Sequence, residues 1–170
     1  MSIVTTLRRG AGLLGMAVLL AACAGPAGIQ PGEPGSAVTA RLGPPTLERP
    51  LPNGGQRLIY SSQPMGQFAW ITDIGADGKV IGTTQALTSE RFNMLDSGNW
   101  DTERLLFEFG PPAEITHVGL KGEQTVWGYR FREDGVWNSL MYVYVTDQGV
   151  VTRHHPGPDP LMEPRFPFGM

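Results

Sequence analysis

The alternation of apolar and polar residues predicts antiparallel strands in the first half of the chain. Phe68, Trp70 and Ile74 alternate with polar or small residues, as in a strand that buries one face. Asp77-Gly78 is a hairpin-turn sequence, and it leads into a returning strand over residues 80–85. This part of the chain is therefore expected to form a small antiparallel sheet.

A stronger strand pattern follows in the second half. Trp127, Tyr129 and Phe131 share one face of a strand, so they are expected to point into the core. Residues 140–145 are apolar at every position, which is typical of a central strand. The tyrosines of that strand give it a face that could serve for docking. A turn at Gly149 leads into one more strand.

Helix signals precede each group of strands. Thr88-Ser89 is suited to cap a short helix over residues 90–95. Asn99 or Asp101 is suited to cap the next helix, which Gly110-Pro111 would end. Together with the strands, these signals predict an α+β protein.

Three sequence landmarks recur in the same order, 67 to 71 residues apart. Leu42-Gly-Pro-Pro-Thr46 returns as Phe109-Gly-Pro-Pro-Ala113, Arg57-Leu-Ile-Tyr60 as Val126-Trp-Gly-Tyr129, and Asp77-Gly-Lys-Val80 as Asp147-Gln-Gly-Val-Val151. Single Gly-Pro and Asp-Gly pairs recur simply as turns, so the shared order is the evidence for duplication. We therefore predict two modules, each a small antiparallel three-stranded sheet with short helices packed on one face.

Glycine and proline are concentrated before the first strands. The chain has 23 glycines and 15 prolines among 170 residues, and residues 24–55 hold seven of each. This composition favours a flexible tether, because it offers little apolar surface to offset the entropy of ordering. The expected divisions are a signal peptide over 1–22, a tether over 23–55 with a short helix near 36–42, a degenerate first module sheet over 56–86, a second module over 87–154, and a Pro-rich tail over 155–170.

The first residues have the pattern of a secretory signal. Arg8-Arg9 precede an uncharged apolar run over residues 11–22, which is too short to span a bilayer. The run ends in Leu20-Ala21-Ala22-Cys23, and this cysteine is the single one in the chain. An ordinary signal peptide with a chance cysteine and a twin-arginine signal are the two alternatives.

Leu20, Ala21, Ala22 and Cys23 resemble the bacterial lipobox. That resemblance implies cleavage before Cys23, a diacylglycerol on its thiol and a fatty acyl chain such as palmitate on its new amino group. Two or more acyl chains anchor a protein stably to a membrane. Ala24, rather than Asp, at the next position implies an outer-membrane protein on the periplasmic side.

Composition and charge exclude several kinds of chemistry. The formal charge of −3 argues against non-specific nucleic-acid binding, which needs a basic surface. A single cysteine excludes a disulfide framework and a cysteine-based zinc site. His154-His155 near Asp159 is the one cluster worth testing as a metal site, but adjacent histidines point to opposite faces of a strand. We expect no catalytic residues, no metal and no cofactor, and His117 is expected at the surface.

The order of these landmarks resembles one protein family. The sequence has helices, a Gly110-Pro-Pro112 stop, a Trp127-Gly-Tyr-Arg130 strand and a turn at Gly149, on a chain with a lipobox. This arrangement is similar to the SmpA/OmlA family of BamE-like outer-membrane lipoproteins. The first module, with Arg57-Leu-Ile-Tyr60, looks like a tandem version of it. At Gly98 the sequence departs from the family, whose helices often open with Gly-Met-Thr or Gly-Met-Ser.

The resemblance implies a function without catalysis. Members of this family are outer-membrane scaffold or interaction proteins, so the expected partners are envelope proteins, among them β-barrel assembly subunits. A duplicated helix-plus-sheet unit is also similar to the fold of the β-lactamase inhibitor protein, although a shared fold does not fix function. The alternative is therefore a periplasmic binding or inhibitor-like module unrelated to barrel assembly.

Overall fold

A computed structural model describes residues 25–120 and 124–162 of the chain. The predicted signal peptide, Leu20, Ala21, Ala22 and Cys23 lie outside the described residues. The described part is an α+β structure with two four-stranded antiparallel sheets. No helix in this part is both long enough and apolar enough to cross a membrane.

The first unit consists of one helix and sheet 1. A short 3-10 turn at Pro26–Gly28 precedes the helix. The elements are helix α1 (Gly35–Leu42) and strands β1 (Leu47–Pro50), β2 (Gln56–Ser61), β3 (Ala69–Ile74) and β4 (Val80–Gln85). The strands pair in chain order, β1-β2-β3-β4, so each connection is a hairpin.

The second unit repeats this order and adds a helical turn. Its elements are helix α2 (Ser89–Phe92), a 3-10 turn (Asn93–Asp96), helix α3 (Thr102–Phe109) and strands β5 (Glu114–Val118), β6 (Gln124–Glu133), β7 (Trp137–Val145) and β8 (Val151–Pro158). Sheet 2 has the order β5-β6-β7-β8. The Thr88 hydroxyl accepts a hydrogen bond from the Arg91 N–H at 3.2 Å, so the predicted cap of α2 is confirmed.

The two units share backbone details as well as topology. Helices α1 and α3 both have eight residues, and each ends at a glycine with positive φ, 79° at Gly43 and 78° at Gly110. The Tyr60 hydroxyl donates to the Gly43 carbonyl at 3.3 Å, and the Tyr129 hydroxyl donates to the Gly110 carbonyl at the same distance. The duplicated landmarks in the sequence therefore correspond to duplicated contacts.

The last hairpin of each sheet holds the start of the unit's helix. The Gly35 N–H donates to the Gly78 carbonyl at 2.8 Å, and the Thr102 N–H donates to the Gly149 carbonyl at 3.0 Å. Both glycines have positive φ, 76° and 79°, which favours glycine at these turns. Each helix is thus fixed at one end by a hairpin and at the other by a tyrosine.

Each sheet has four strands, so the predicted three-stranded sheets were wrong. The additional strands, β1 and β5, lie at sheet edges directly after the Gly-Pro-Pro stops. Their side chains are mostly exposed, and β1 ends in Pro50. An edge strand with little buried surface has no clear alternation, and proline is tolerated there because one side of the strand needs no partner.

The segments expected to be tether and tail also contribute to the folded units. Helix α1 and strand β1 lie within residues 23–55, where Ile29 and Val38 are buried at 4% and 0% exposure. Strand β8 extends to Pro158, past the expected end of the second module at residue 154. In each case long-range pairing supplies the burial that local composition does not indicate.

The helices and sheets stack so that both faces of sheet 1 are covered. On one face Leu58, Ile74 and Val80 pack against Val38 of α1. On the other face Ile59 and Ile71 join a larger core with the helices and sheet 2. The residues of that core on the second unit include Phe92, Leu105, Phe109, Trp127, Tyr129, Phe131, Met141, Val143 and Val145. The predicted core positions Trp127, Tyr129 and Phe131 are thereby confirmed.

Polar contacts join the two units at the edge of this core. The Arg57 guanidinium pairs with Asp73 at 2.8 Å on its own sheet and reaches Glu108 of α3 at 3.3 Å. It also lies 4.0 Å from the centre of the Phe107 ring. On the adjacent loop, the Gln63 side-chain amide donates to the Arg130 carbonyl at 2.7 Å. Sheet 1 therefore packs against α3 with one defined orientation.

Candidate interaction surfaces

Sheet 2 carries a row of aromatic and basic side chains on the face turned away from its helices. We define this outer face by Glu114, Tyr142, Tyr144, Arg153 and His155. Alternation along β7 sends Met141 and Val143 into the core and the two tyrosines outward. Both tyrosines are half-buried, and the two basic residues are exposed.

The side chains of the outer face contact one another across strands. The Arg153 guanidinium lies 3.6 Å from the centre of the Tyr144 ring. The Tyr144 hydroxyl is 3.1 Å from Nε2 of His155, and the His155 ring centre is 5.4 Å from that of Tyr142. These contacts hold the three rings next to one another, with the His155 ring tilted against both tyrosines. Burial and the nearby Glu114 carboxylate raise the pKa of Tyr142 above its ordinary value.

A buried ion-pair cluster closes one end of the outer face. Arg130 is 3% exposed and pairs with Glu114 and with Asp159, each at 3.2 Å. Its guanidinium also donates to the Pro64 carbonyl at 3.0 Å. Asp159 is fully buried, which fixes the chain where it leaves β8. Both acidic residues of this region thus share the Arg130 guanidinium, and Arg153 is the cation of the outer face that is exposed to solvent.

His154, His155 and Asp159, the one cluster considered as a metal site in the sequence, are not brought together around a common point. His154 and His155 point to opposite faces of β8, as adjacent strand residues do. The His154 Nε2 atom is 3.0 Å from the Asp96 carboxylate, and Asp159 is held by Arg130. Within residues 25–120 and 124–162, no three His, Cys, Asp or Glu side chains are grouped as a metal site. His117 lies exposed on β5, as expected.

A second candidate surface lies at the β6–β7 hairpin. Trp137 is 69% exposed there, and the neighbouring Val136 is 60% exposed. Trp137 lines a groove of about 560 Å³, together with Pro156, Pro158 and Met162. Exposed tryptophan beside a mostly apolar groove is typical of protein-binding sites.

Sequence patterns did not indicate several of these residues. Trp137 belongs to a hairpin that the sequence indicates only as a turn. Arg130 and Asp159 lie 29 residues apart, so no local pattern relates them. A charged residue between Tyr129 and Phe131 of a strongly apolar stretch was the available signal for Arg130, because such a residue is rarely buried without a partner. Cys23, the predicted site of lipid attachment, and the rest of its motif lie outside the described residues.

Comparison with known proteins gave no match. No family model, no curated protein and no solved structure is significantly similar to this chain.

Proposed function

We propose that this chain is an outer-membrane-anchored periplasmic lipoprotein that acts as a non-enzymatic scaffold or interaction protein in the cell envelope. In this proposal Cys23 carries the acyl chains, and the two units are modules of the SmpA/OmlA, BamE-like kind, here with four-stranded sheets. The partners are envelope proteins, with β-barrel assembly subunits as the first candidates. The protein uses no cofactor, metal or nucleic acid.

The observation that carries the interaction part of the proposal is the exposed Trp137 beside its groove. A tryptophan buries 150–250 Å² when a partner covers it, and such residues dominate binding energies. Leaving 69% of this side chain in water is costly for the free protein. A docking partner at the β6–β7 hairpin would recover that energy.

The short distance between Cys23 and the folded unit supports a position close to the membrane. Ile29 is buried in the first unit and lies six residues after Cys23. Six extended residues span at most about 20 Å, because each adds roughly 3.3–3.6 Å. Acyl chains on Cys23 would therefore hold the first unit against the headgroup region rather than at the end of a long tether.

Labelling and pull-down from membranes test the proposal in two steps. The full-length tagged protein should incorporate labelled palmitate, and the Cys23→Ser variant should not. Detergent-solubilised membranes should then yield barrel-assembly subunits with the lipidated protein, and Trp137→Ala should reduce the recovery. Ile115→Ala is a matched control, because Ile115 is 52% exposed and lies on another strand. Recovery of no envelope protein, or palmitate on the Cys23→Ser variant, would contradict the proposal.

The tandem packing of two helix-plus-sheet units favours one alternative function. The hypothesis of an inhibitor-like module also predicts two similar units joined in one body. The direct packing of sheet 1 on α3 agrees with that prediction. If this alternative function is correct, the pull-down should recover one soluble periplasmic protein instead of membrane subunits. The Cys23→Ser variant would then retain that partner.

A further inference from the structure

We propose that the outer face of sheet 2 binds a helix of a partner protein that carries an acidic residue next to an aromatic one. This inference deepens the interaction part of the proposed function and does not depend on the lipid anchor. It rests on the internal repeat, because sheet 1 already binds such a helix with the equivalent face.

The two sheet faces correspond residue by residue. In sheet 1, Ile59 lies opposite Ile71 and Arg57 lies opposite Asp73, next to a bulge. In sheet 2 the equivalent pairs are Gly128 with Tyr142 and Val126 with Tyr144, and the bulge recurs between Tyr144 and Val145. The outer face of sheet 2 is therefore the counterpart of the face of sheet 1 that packs on α3.

The contacts at sheet 1 define what such a face accepts. Gly110, at the end of α3, lies so close to Ile59 that an added Cβ would be 2.9 Å from its Cγ2 atom. The Phe107 ring lies against the Arg57 guanidinium, and Glu108 pairs with the same group. The bound element is thus a short helix end that presents an aromatic ring and a carboxylate.

The outer face of sheet 2 offers matching chemistry. Tyr144 of sheet 2 has the position that Asp73 has in sheet 1. The Arg153 guanidinium lies on the Tyr144 ring, whereas in sheet 1 the Arg57 guanidinium pairs with Asp73. Glu114 and Asp159 share one cation, Arg130, and Arg153 is the cation of the face that is exposed to solvent. Two tyrosine rings lie beside Arg153 on this face, Tyr142 and Tyr144. A carboxylate and an aromatic ring on a helix would complement both features.

Photo-crosslinking in cells tests the inference with the full-length chain. Benzoylphenylalanine is placed at Thr116 or Val118, two exposed positions on the outer face, and at Ile81 of sheet 1 as the control site. We expect the two outer-face positions to crosslink to one protein, within a helix that has Glu or Asp beside an aromatic residue. Arg153→Glu should lower the crosslink yield by about tenfold, the loss expected from one charge-assisted contact.

The matched control for that variant is Arg104→Glu. Arg104 also stacks on an aromatic ring, at 3.9 Å from the centre of Trp100, but lies outside the outer face. The Arg104→Glu variant should leave the crosslink yield unchanged. Both variants should keep the circular dichroism spectrum of the unmodified protein. Exchange of the partner's acidic residue for lysine should restore crosslinking to the Arg153→Glu variant.

Several results would overturn the inference. They are crosslinks to residues 163–170 of the same chain, crosslinks to glycan or lipid, crosslinks to a partner segment without an acidic residue, no crosslink at all, or a yield that Arg153→Glu does not change. The pull-down above distinguishes these failures from failure of the proposed function. If envelope subunits are recovered with Arg153→Glu as well as without it, the interaction function stands and this surface is not its binding site.

Discussion

At the scale of single residues, Arg130 is the side chain on which the end of sheet 2 depends. It is almost fully buried, and its contacts come from β5, from the loop after β2 and from the turn after β8. A buried charge is tolerated only when partners replace the water it has lost. These three contacts hold together segments that are distant in the sequence.

Replacement of Arg130 by methionine should destabilise the protein strongly. The change leaves the Asp159 carboxylate, which is fully buried, without its cation, and such losses typically cost about 3–5 kcal/mol. Urea unfolding followed by circular dichroism measures the change. The double variant with Asp159→Asn should recover part of the loss, because no unpaired charge remains. Equal or greater destabilisation in the double variant would show that the pairing is not the cause.

Tyr129 makes the stability depend on pH in the alkaline range. Burial raises the pKa of its hydroxyl well above the ordinary value of 10. In the unfolded chain the tyrosine ionises near pH 10, and in the folded protein it stays protonated, so the unfolded state loses protons first. Stability should therefore be unaffected by this group below pH 10 and should fall as the pH rises above it.

The Tyr129→Phe variant separates this effect from the hydrogen bond to Gly110. At pH 7 the variant should lose about 1 kcal/mol, the typical contribution of one such bond. Between pH 10 and 12 its stability should decline less steeply than that of the unmodified protein. Unfolding midpoints in urea across this range measure both effects, and parallel decline of the two proteins would refute the assignment to Tyr129.

At the scale of elements, the glycines that end α1 and α3 have the same backbone conformation in different surroundings, so their substitutions can be compared within one protein. Gly43 has φ 79° and ψ −166°, and Gly110 has φ 78° and ψ −168°. This region of backbone conformation is essentially limited to glycine. The two positions differ in their surroundings, because Gly43 has nothing near the site of a Cβ and Gly110 contacts Ile59.

Alanine at the two stops should therefore have unequal effects. Gly43→Ala should cost about 1–3 kcal/mol, the strain of the backbone conformation alone. Gly110→Ala should cost more, because its Cβ would lie 2.9 Å from Ile59 and would force the units apart. Thermal or urea unfolding of the two variants provides the comparison. Equal losses would mean that the contact between α3 and sheet 1 is looser than the distance indicates.

At the scale of the whole molecule, the two units share one core. Ile59 and Ile71 of sheet 1 pack in the same cluster as Phe109 of α3 and Tyr129 of sheet 2. Sheet 1 would expose this face if the second unit unfolded alone. Folding of each unit should therefore depend on the other.

We expect one cooperative unfolding transition for the described units. Far-ultraviolet circular dichroism and tryptophan fluorescence should give the same midpoint in urea. Arg57→Ala should lower that midpoint, because it removes the ion pair with Glu108 between the units as well as the ion pair with Asp73 within sheet 1. Arg41→Ala, which breaks an ion pair within the first unit near α1, should change stability by no more than about 0.5 kcal/mol. Two separated transitions would contradict the shared core.

Local sequence patterns are enough to predict the strongly patterned parts of this protein. The duplicated landmarks, the inward row Trp127, Tyr129 and Phe131, and the glycine stop at Gly110 follow from local rules of alternation and backbone conformation. The leader and Cys23 also depend only on local pattern, and for that reason their assignment stays a prediction.

The weakly patterned segments take their structure from long-range contacts in the folded protein. Strands β1 and β5 form at sheet edges because β2 and β6 offer them unpaired backbone groups, which no local signal encodes. Residues 25–55 fold because sheet 1 supplies a buried face for Ile29 and Val38. Arg130 meets Asp159 only once β8 is paired with β7. In each case the stabilising energy comes from partners far along the chain, and sequence periodicity reports only on near neighbours.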